Sequence, residues 1–372
     1  MGGGMTPFPY LHKRLYESLN YRLPGFWGGR LAGLCRPNSI SFLITERCNA
    51  RCVHCNIWTN RGREDSLTEA EWKVALADLR SWLGPVQVTL TGGEALLVPY
   101  TPALVRYGAE LGLFMEVLTH GYWNDKSRVE ALARARPWRI TMSLDGLGEV
   151  HSAIRGRESF FERSASSLDT LLRLRQTEEL PYTIRLKTVV MRQNLGELAG
   201  LAEFATREGV DIFYQPIEQN YNSTEDPDWF RHSGNWPPDA TTAVAAVEGV
   251  IDLKARGRHI ANSVEQLRAM QRYFEDPAGL RVSTQAHASH EAKLVCSALA
   301  MMEVQANGDL RVCNARAPVG NIRRQPPSEI WRSRPRWWEA GCCLESRLSE
   351  AESRRYSPGS APRSTPAGAP PG

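Results

Sequence analysis

Cys48, Cys52 and Cys55 stand together in the stretch TERCNARCVHCNIW, spaced C-x3-C-x2-C. Thiolates this close together are metal ligands. A structural zinc site uses similar spacing but wants four closed ligands, and His54 stands within the triplet as a candidate fourth. An iron–sulfur cluster uses closely spaced thiolates as well. A four-iron cluster held by three cysteines leaves one iron open, and an open iron can bind a substrate or cofactor. Spacing alone leaves both readings standing.

The elements that must position this triplet can be read from hydrophobic pattern. Apolar strand-like runs at 40–45, 86–90, 113–119, 139–144, 182–190 and 210–217 alternate with helix-period stretches near 68–82, 101–111, 125–135, 160–175 and 195–208. Thr68 with Glu71 three residues on marks a capping box at the first of these helices. The alternation implies right-handed βαβ units on a parallel sheet, either open and doubly wound or closed part-way into a (β/α) barrel. In both folds ligands gather at the carboxyl ends of the strands. The sequence places unusual polar or glycine-rich segments at those ends. The cysteine triplet follows the first strand, Thr91-Gly92-Gly93-Glu94 the second and Thr119-His120-Gly121 the third. Ser143-Leu144-Asp145-Gly146 ends the fourth, and Gln215-Pro216 lies on the sixth. Taken singly, Glu94 reads as a helix-start acid, Asp145 as a turn residue, and His120 and His151 as structural or exposed histidines. A shared rim lifts Glu94 and Asp145, and not the two histidines, to candidate ligand-site residues.

On these residues the chain resembles the radical SAM superfamily from about residue 40 to 345. The resemblance rests on the C-x3-C-x2-C triplet, on Gly92-Gly93-Glu94 and Ser143-Leu144-Asp145 in that order, and on the stretches 143–156 and 189–217. It implies an α/β fold whose core is a partial (β/α)6 TIM-type barrel over 39–218. Cys48, Cys52 and Cys55 would then be the catalytic metal ligands, holding a [4Fe-4S] cluster whose open iron is chelated by S-adenosylmethionine (SAM). Gly92, Gly93 and Glu94 would receive the methionine amino group. Ser143 and Asp145 would hold the carboxylate or ribose side, with Gln215 near the adenosine. Reductive cleavage would give methionine and a 5′-deoxyadenosyl radical that takes hydrogen from substrate, with a flavodoxin- or ferredoxin-like reductant as electron donor. The sequence departs from the common pattern at Ala95, where proline is frequent, at His54, where an aromatic ring is common, and at His120, where asparagine is commoner. None of these removes a cluster ligand.

A second cysteine group, Cys296, Cys313, Cys342 and Cys343, lies in residues 296–345. Asn307-Gly308 marks a hairpin between strand-like runs at 300–306 and 309–313. This small α+β module resembles the SPASM/twitch extension of radical SAM enzymes, also on "VGNI" and "SEIW". That implies an auxiliary iron–sulfur cluster bound by the four cysteines. A lost cluster and a zinc site remain open as alternatives, as does the role of adjacent Cys342 and Cys343. Cys35 is expected to be structural.

The remaining chain divides into an N-terminal extension (1–38) with a short helix at 10–20, a helical and linker region (219–295) and a tail (346–372) expected to be disordered. Helices are expected at 240–255 and 263–274. At 372 residues, 42% hydrophobic and 23% charged, the composition is that of a soluble globular protein. No run is long and apolar enough for a membrane span and no signal-peptide pattern opens the chain, so a cytoplasmic location is expected. Gly2 followed by Thr6 matches only a loose myristoylation pattern. The net charge of +4 does not by itself suggest a nucleic-acid partner. Seven arginines between 311 and 336 form either a solvated face or a docking surface for an acidic partner. The leading expectation is a radical SAM enzyme acting on a peptide or a small biosynthetic precursor. Alternatives are a radical SAM enzyme acting on nucleotides or RNA, and a non-catalytic iron–sulfur or zinc scaffold. No leader-peptide-binding domain is evident in the residues before the triplet.

Overall fold

The apolar runs become six parallel strands, β1 (Ser39–Thr45), β2 (Gln87–Gly92), β3 (Phe114–Thr119), β4 (Arg139–Ser143), β5 (Thr183–Val190) and β6 (Asp211–Pro216), in the computed structural model. It describes residues 7–23, 32–60, 62, 65–220, 226, 228–277, 297–313 and 316–337. Each strand has two unlike faces, because side chains alternate across a strand. On β5, Ile184, Leu186 and Val190 are buried in the main core with Leu171, Leu174 and Leu201 from the helical layer, while Arg185 and Lys187 point the other way. The parallel neighbours run β6-β5-β4-β3-β2-β1, so consecutive strands lie side by side as βαβ units require.

The helices are α1 (Pro7–Arg22), α2 (Glu69–Leu83), α3 (Thr101–Glu110), α4 (Ser127–Arg134), α5 (Gly148–Arg155), α6 (Phe160–Thr177), α7 (Leu198–Arg207), α8 (Trp229–His232), α9 (Ala240–Ala255), α10 (Val264–Glu275) and α11 (Pro327–Ser333). The Thr68 capping box is formed, with the Thr68 backbone N–H 2.7 Å from Glu71 Oε2 and the Glu71 N–H 3.3 Å from Thr68 Oγ1. Helix α5 was not expected from the sequence. It has eight residues, too few for a clear apolar period. Helix α1 also runs further in both directions than expected.

The cysteine-bearing segment differs from the compact unit its sequence suggests. Its hairpin, β7 (Met301–Val304) and β8 (Asp309–Arg311), is followed by β9 (Gly320–Asn321), and these strands extend the main sheet. Ser39 pairs with Met301 and Phe42 with Val304 in parallel register, giving nine strands in one sheet. Helix α11 closes the far side. Ser328 binds Asp78 of α2 through its N–H (2.9 Å) and its hydroxyl (2.8 Å), and Trp331 Nε1 donates to Cys35 O at 2.9 Å. Cys35 is buried, as expected of a structural thiol.

Five of the seven arginines of the 311–336 stretch are exposed, and only Arg334 is buried. Arg323 ties Glu71 (2.7 Å) to the carbonyls of Asp65, Ser66 and Asn307. Arg334 is buried over the Trp331 ring, 3.9 Å from its centroid, and donates to Ala298 O. These two arginines join residues 323–334 to the segments before α2 and β7. No helix among the described residues is long and apolar enough to cross a membrane.

Candidate active site

The loop after β1 is held by its neighbours on two sides. Gly93 N–H donates to Thr45 O (2.8 Å) and Glu94 N–H to Arg47 O (2.9 Å) from the β2 side. Arg51 N–H donates to Arg155 O and Val53 N–H to Ile154 O, both at 2.9 Å, from α5. Cys52 is buried with Ala50 and Phe160, and Cys48 and Cys55 pack on that cluster together with Tyr122. The structure therefore brings the three cysteines to one apolar spot. Burial pushes the Cys48 thiol up to about 12 and the Cys55 thiol upward as well. Thiols so placed stay protonated at neutral pH unless a positive centre binds them, and a metal cluster is such a centre. Arg155 Nη1 already stands 3.5 Å from Cys52 Sγ. Among the described residues no three His, Cys, Asp or Glu side chains converge tightly enough for a single metal ion. The cluster assignment therefore rests on the spacing and on the shared burial.

Gly92 and Gly93 are demanded by the chain itself. A Cβ on Gly92, whose φ is +134°, would sit 2.1 Å from Thr45 O, and one on Gly93 would sit 2.3 Å from Arg47 O. Close approach to a ligand is not needed to explain them. Glu94, 1% exposed, is fixed by three donors: Leu96 N–H (3.0 Å) and Thr119 Oγ1 (2.7 Å) on Oε1, and His120 N–H (2.9 Å) on Oε2. His120 Nδ1 accepts from Tyr122 N–H at 3.0 Å, so the ring proton is on Nε2, 2.8 Å from Asn49 Oδ1 and 3.1 Å from Glu94 Oε2. Burial pushes His120 down, so it is neutral. A carboxylate offers about four acceptor sites. Two backbone N–H groups and a hydroxyl fill three, and the fourth faces His120 Nε2–H at 3.1 Å, a proton that Asn49 Oδ1 at 2.8 Å can take instead, so an ammonium would share that site with His120.

Asp145 is fully buried. Its Oδ1 accepts from Val189 N–H (2.9 Å) and its Oδ2 pairs with Arg155 Nη2 (2.6 Å). Its own N–H donates to His151 Nδ1 (3.0 Å), and its carbonyl accepts from Asn194 Nδ2 (2.8 Å). Its carboxylate thus holds Arg155, and Arg155 faces Cys52. Ser143 ends β4 half-buried, beside Lys187 of β5. Gln215 Oε1, His54 Nδ1, Asn56 Oδ1 and His151 Nε2 are buried without a hydrogen-bond partner. Such orphaned atoms near the rim suit a bound polar ligand. Burial pushes His54 down to about 4 and His151 to about 3, so both are neutral near pH 7. Gly92, Gly93, Glu94 and Asp145 are thus all linked to the triplet's loop, directly or through His120 and Arg155.

Arg155 and Asn49 are site residues that sequence reasoning missed. Both lie inside motif stretches, but no spacing rule says that an arginine at the end of a short helix turns back onto Asp145. Of the second cysteine group, Cys313 is buried two residues beyond β8. Cys296, Cys342 and Cys343 lie outside the described residues.

The inner face of the sheet below this rim is polar. Glu116 of β3 accepts from Gln87 Nε2 (2.6 Å), Thr89 Oγ1 (3.2 Å) and Thr141 Oγ1 (2.6 Å), and pairs with Arg139 Nε (3.0 Å).

Residues 42–205 match the model of the radical SAM superfamily. The AdoMet-dependent heme synthase of Methanosarcina barkeri is 27% identical over 307 residues, covering 80% of this chain and 82% of that protein. The sporulation killing factor maturation protein SkfB of Bacillus subtilis is 26% identical over 178 residues, 48% of this chain and 42% of that protein. Among solved structures, SuiB of Streptococcus suis bound to S-adenosylmethionine superposes with a TM-score of 0.62 at 17% identity, over 83% of this chain and 71% of that one. That last likeness shows the fold.

Proposed function

Residues 42–205 belong to the radical SAM superfamily, and from that premise we propose which residues of this enzyme do the work. The observation that carries the assignment is the clamp between two loops: Gly93 and Glu94 hydrogen-bond to the backbone that leads into Cys48. Cys48, Cys52 and Cys55 hold a [4Fe-4S] cluster by their thiolates. A cluster held there, with SAM on its open iron, would supply the one-electron chemistry that removes a hydrogen atom from substrate. The protein binds and orients. Glu94 receives the methionine ammonium at the acceptor site it shares with His120 Nε2–H, whose proton then rests on Asn49 Oδ1. Arg155, fixed by Asp145, sets a positive charge beside Cys52. Ser143 and the orphaned Gln215 Oε1 offer polar groups to the carboxylate, ribose or adenine. Ala50, Phe160 and Tyr122 keep water from the thiolates.

The substrate class is a peptide or a small biosynthetic precursor, in keeping with a maturation protein and a heme synthase among the relatives. The heme synthase match runs along most of both chains, whereas the SkfB match is confined to about half of each. A second iron–sulfur cluster on Cys313, with Cys296, Cys342 and Cys343, completes the proposal, together with a flavodoxin- or ferredoxin-like reductant. Electron paramagnetic resonance of the anaerobically reconstituted, dithionite-reduced protein tests the open iron. The expected result is a [4Fe-4S]+ signal whose g values change when SAM is added. A signal indifferent to SAM would overturn the assignment. Iron analysis of the Cys48/Cys52/Cys55→Ala variant tests the second cluster, which predicts about four iron ions remaining.

A further inference from the structure

Two cations on the inner face of the barrel have no anionic partner among the described residues; Arg185 lies over the Phe213 ring, 5.9 Å from its centroid. Arg185 and Lys187 lie two residues apart on one face of β5, opposite the face that packs on the helices. Their register neighbours are Thr141 and Ser143 on β4, and Asp211 and Phe213 on β6. Neither side chain donates a hydrogen bond or makes an ion pair to any described residue, and Arg185 Nε is buried and unsatisfied.

The charged groups around them are already engaged or out of contact. Glu116 is filled by Gln87, Thr89, Thr141 and Arg139. Asp145 is held by Arg155. Glu218 and Asp211 are felt by Lys187 and Arg185 respectively, but neither comes within ion-pair distance. Arg139 and Arg155 add like charge on either side. Burial holds both cations below their ordinary pKa values, the mark of charges that would gain from an anion. Unpaired buried charge is costly, and it persists where a ligand completes it.

The position gives the pair a purpose. Val189, two residues beyond Lys187, donates its N–H to Asp145, which ties Arg155 to Cys52. Lys187 is level with Ser143 at the end of β4, and Arg185 lies about 7 Å further along the strand, one side-chain layer into the barrel. We propose that Arg185 and Lys187 anchor a carboxylate of the substrate inside the barrel, so that a C–H bond a few atoms away meets the rim. The inference rests on the radical SAM reading and narrows its substrate to an organic acid. Arginine gives the planar fork that matches a carboxylate, and lysine a point charge beside it. The carboxylate could instead be the one on SAM, and the test separates the two.

The test is calorimetric titration of the reconstituted holoprotein, saturated with SAM under anaerobic conditions, with glutarate and with its neutral analogue glutaramide. The wild type is expected to bind glutarate and not glutaramide. Arg185→Gln and Lys187→Gln should each weaken glutarate by at least about tenfold, and Lys187→Arg should retain most of it. SAM affinity, measured separately, should stay within about twofold in all three variants. Absence of glutarate binding to the wild type, equal binding of glutaramide, or indifference to both substitutions would overturn the proposal. Loss of SAM affinity in place of glutarate affinity would also overturn it, assigning the pair to SAM. Uncoupled 5′-deoxyadenosine formation by the wild type is followed in the same preparations. If that is present while the anion results fail, only this inference falls. If it is absent, the radical SAM assignment falls.

Discussion

Asp145→Asn removes one charge and almost no volume from the centre of the site. Asp145 is 0% and Arg155 7% exposed, with 2.6 Å between Oδ2 and Nη2. Asparagine still offers an oxygen to Val189 N–H, so the loss is electrostatic. An arginine left buried without its carboxylate costs about 3–5 kcal/mol of stability. Arg155→Met strands the Asp145 anion instead and costs a similar amount. The double variant buries neither charge. It should be less destabilised than the sum of the singles by about 2–3 kcal/mol. The assay is urea unfolding of the reduced, metal-free protein by far-ultraviolet circular dichroism at pH 7. The sign with pH is fixed as well. Burial raises the Asp145 pKa, but Arg155, His54 and His151 outweigh it, and the folded value lies below the ordinary one. The stabilisation is therefore complete above the ordinary aspartate pKa and is lost as pH falls through the depressed folded value. Additivity of the two single variants within about 0.5 kcal/mol would refute the reasoning.

Other substitutions separate structure from chemistry. Gly93→Ala drives a Cβ to 2.3 Å from Arg47 O and breaks the contacts to Thr45 and Arg47, so it should cost about 3–5 kcal/mol in urea melts and lower iron uptake on reconstitution. Glu94→Gln must place an NH2 group against one of the N–H or O–H donors it now accepts. It should weaken SAM binding by about tenfold or more by equilibrium dialysis, with iron content largely kept. Arg323→Gln loses a hydrogen bond that holds Glu71 down at about 2. Both side chains are about a third exposed, so after screening the pair contributes about 1 kcal/mol or less. The difference between wild type and variant in thermal melts should be full above the ordinary glutamate pKa and shrink as pH falls toward 2.

The six core strands were legible because each buries one face against helices and leaves a repeating two-residue pattern. Helix α2 was legible from Thr68 and Glu71, whose side chains carry the cap. Helix α5 was not, since eight residues give too little period. The parallel pairing of β7 with β1 joins segments from opposite ends of the chain, and nothing local in Met301–Val304 signals it. At the site, the residues singled out after each strand do lie at the strands' carboxyl ends, but roles were harder to read. Gly92 and Gly93 suggested approach to a ligand, whereas the atoms that forbid a side chain belong to Thr45 and Arg47. Asp145 suggested a ligand contact, whereas its carboxylate is turned to Arg155. Most arginines of 311–336 do lie at the surface, but the pattern did not show that exposed Arg323 and buried Arg334 clamp the stretch to its neighbours. Each of these roles depends on which distant backbone lies opposite, and a one-dimensional pattern does not carry that.

The central claim is that Cys48, Cys52 and Cys55 support reductive cleavage of SAM. It is tested most directly by quantifying 5′-deoxyadenosine after anaerobic incubation of the reconstituted protein with SAM and dithionite, beside the Cys48/Cys52/Cys55→Ala variant. The account predicts product from the wild type and none from the variant. Equal product from both, or none from a wild type whose iron content shows a full cluster on the triplet, would contradict it.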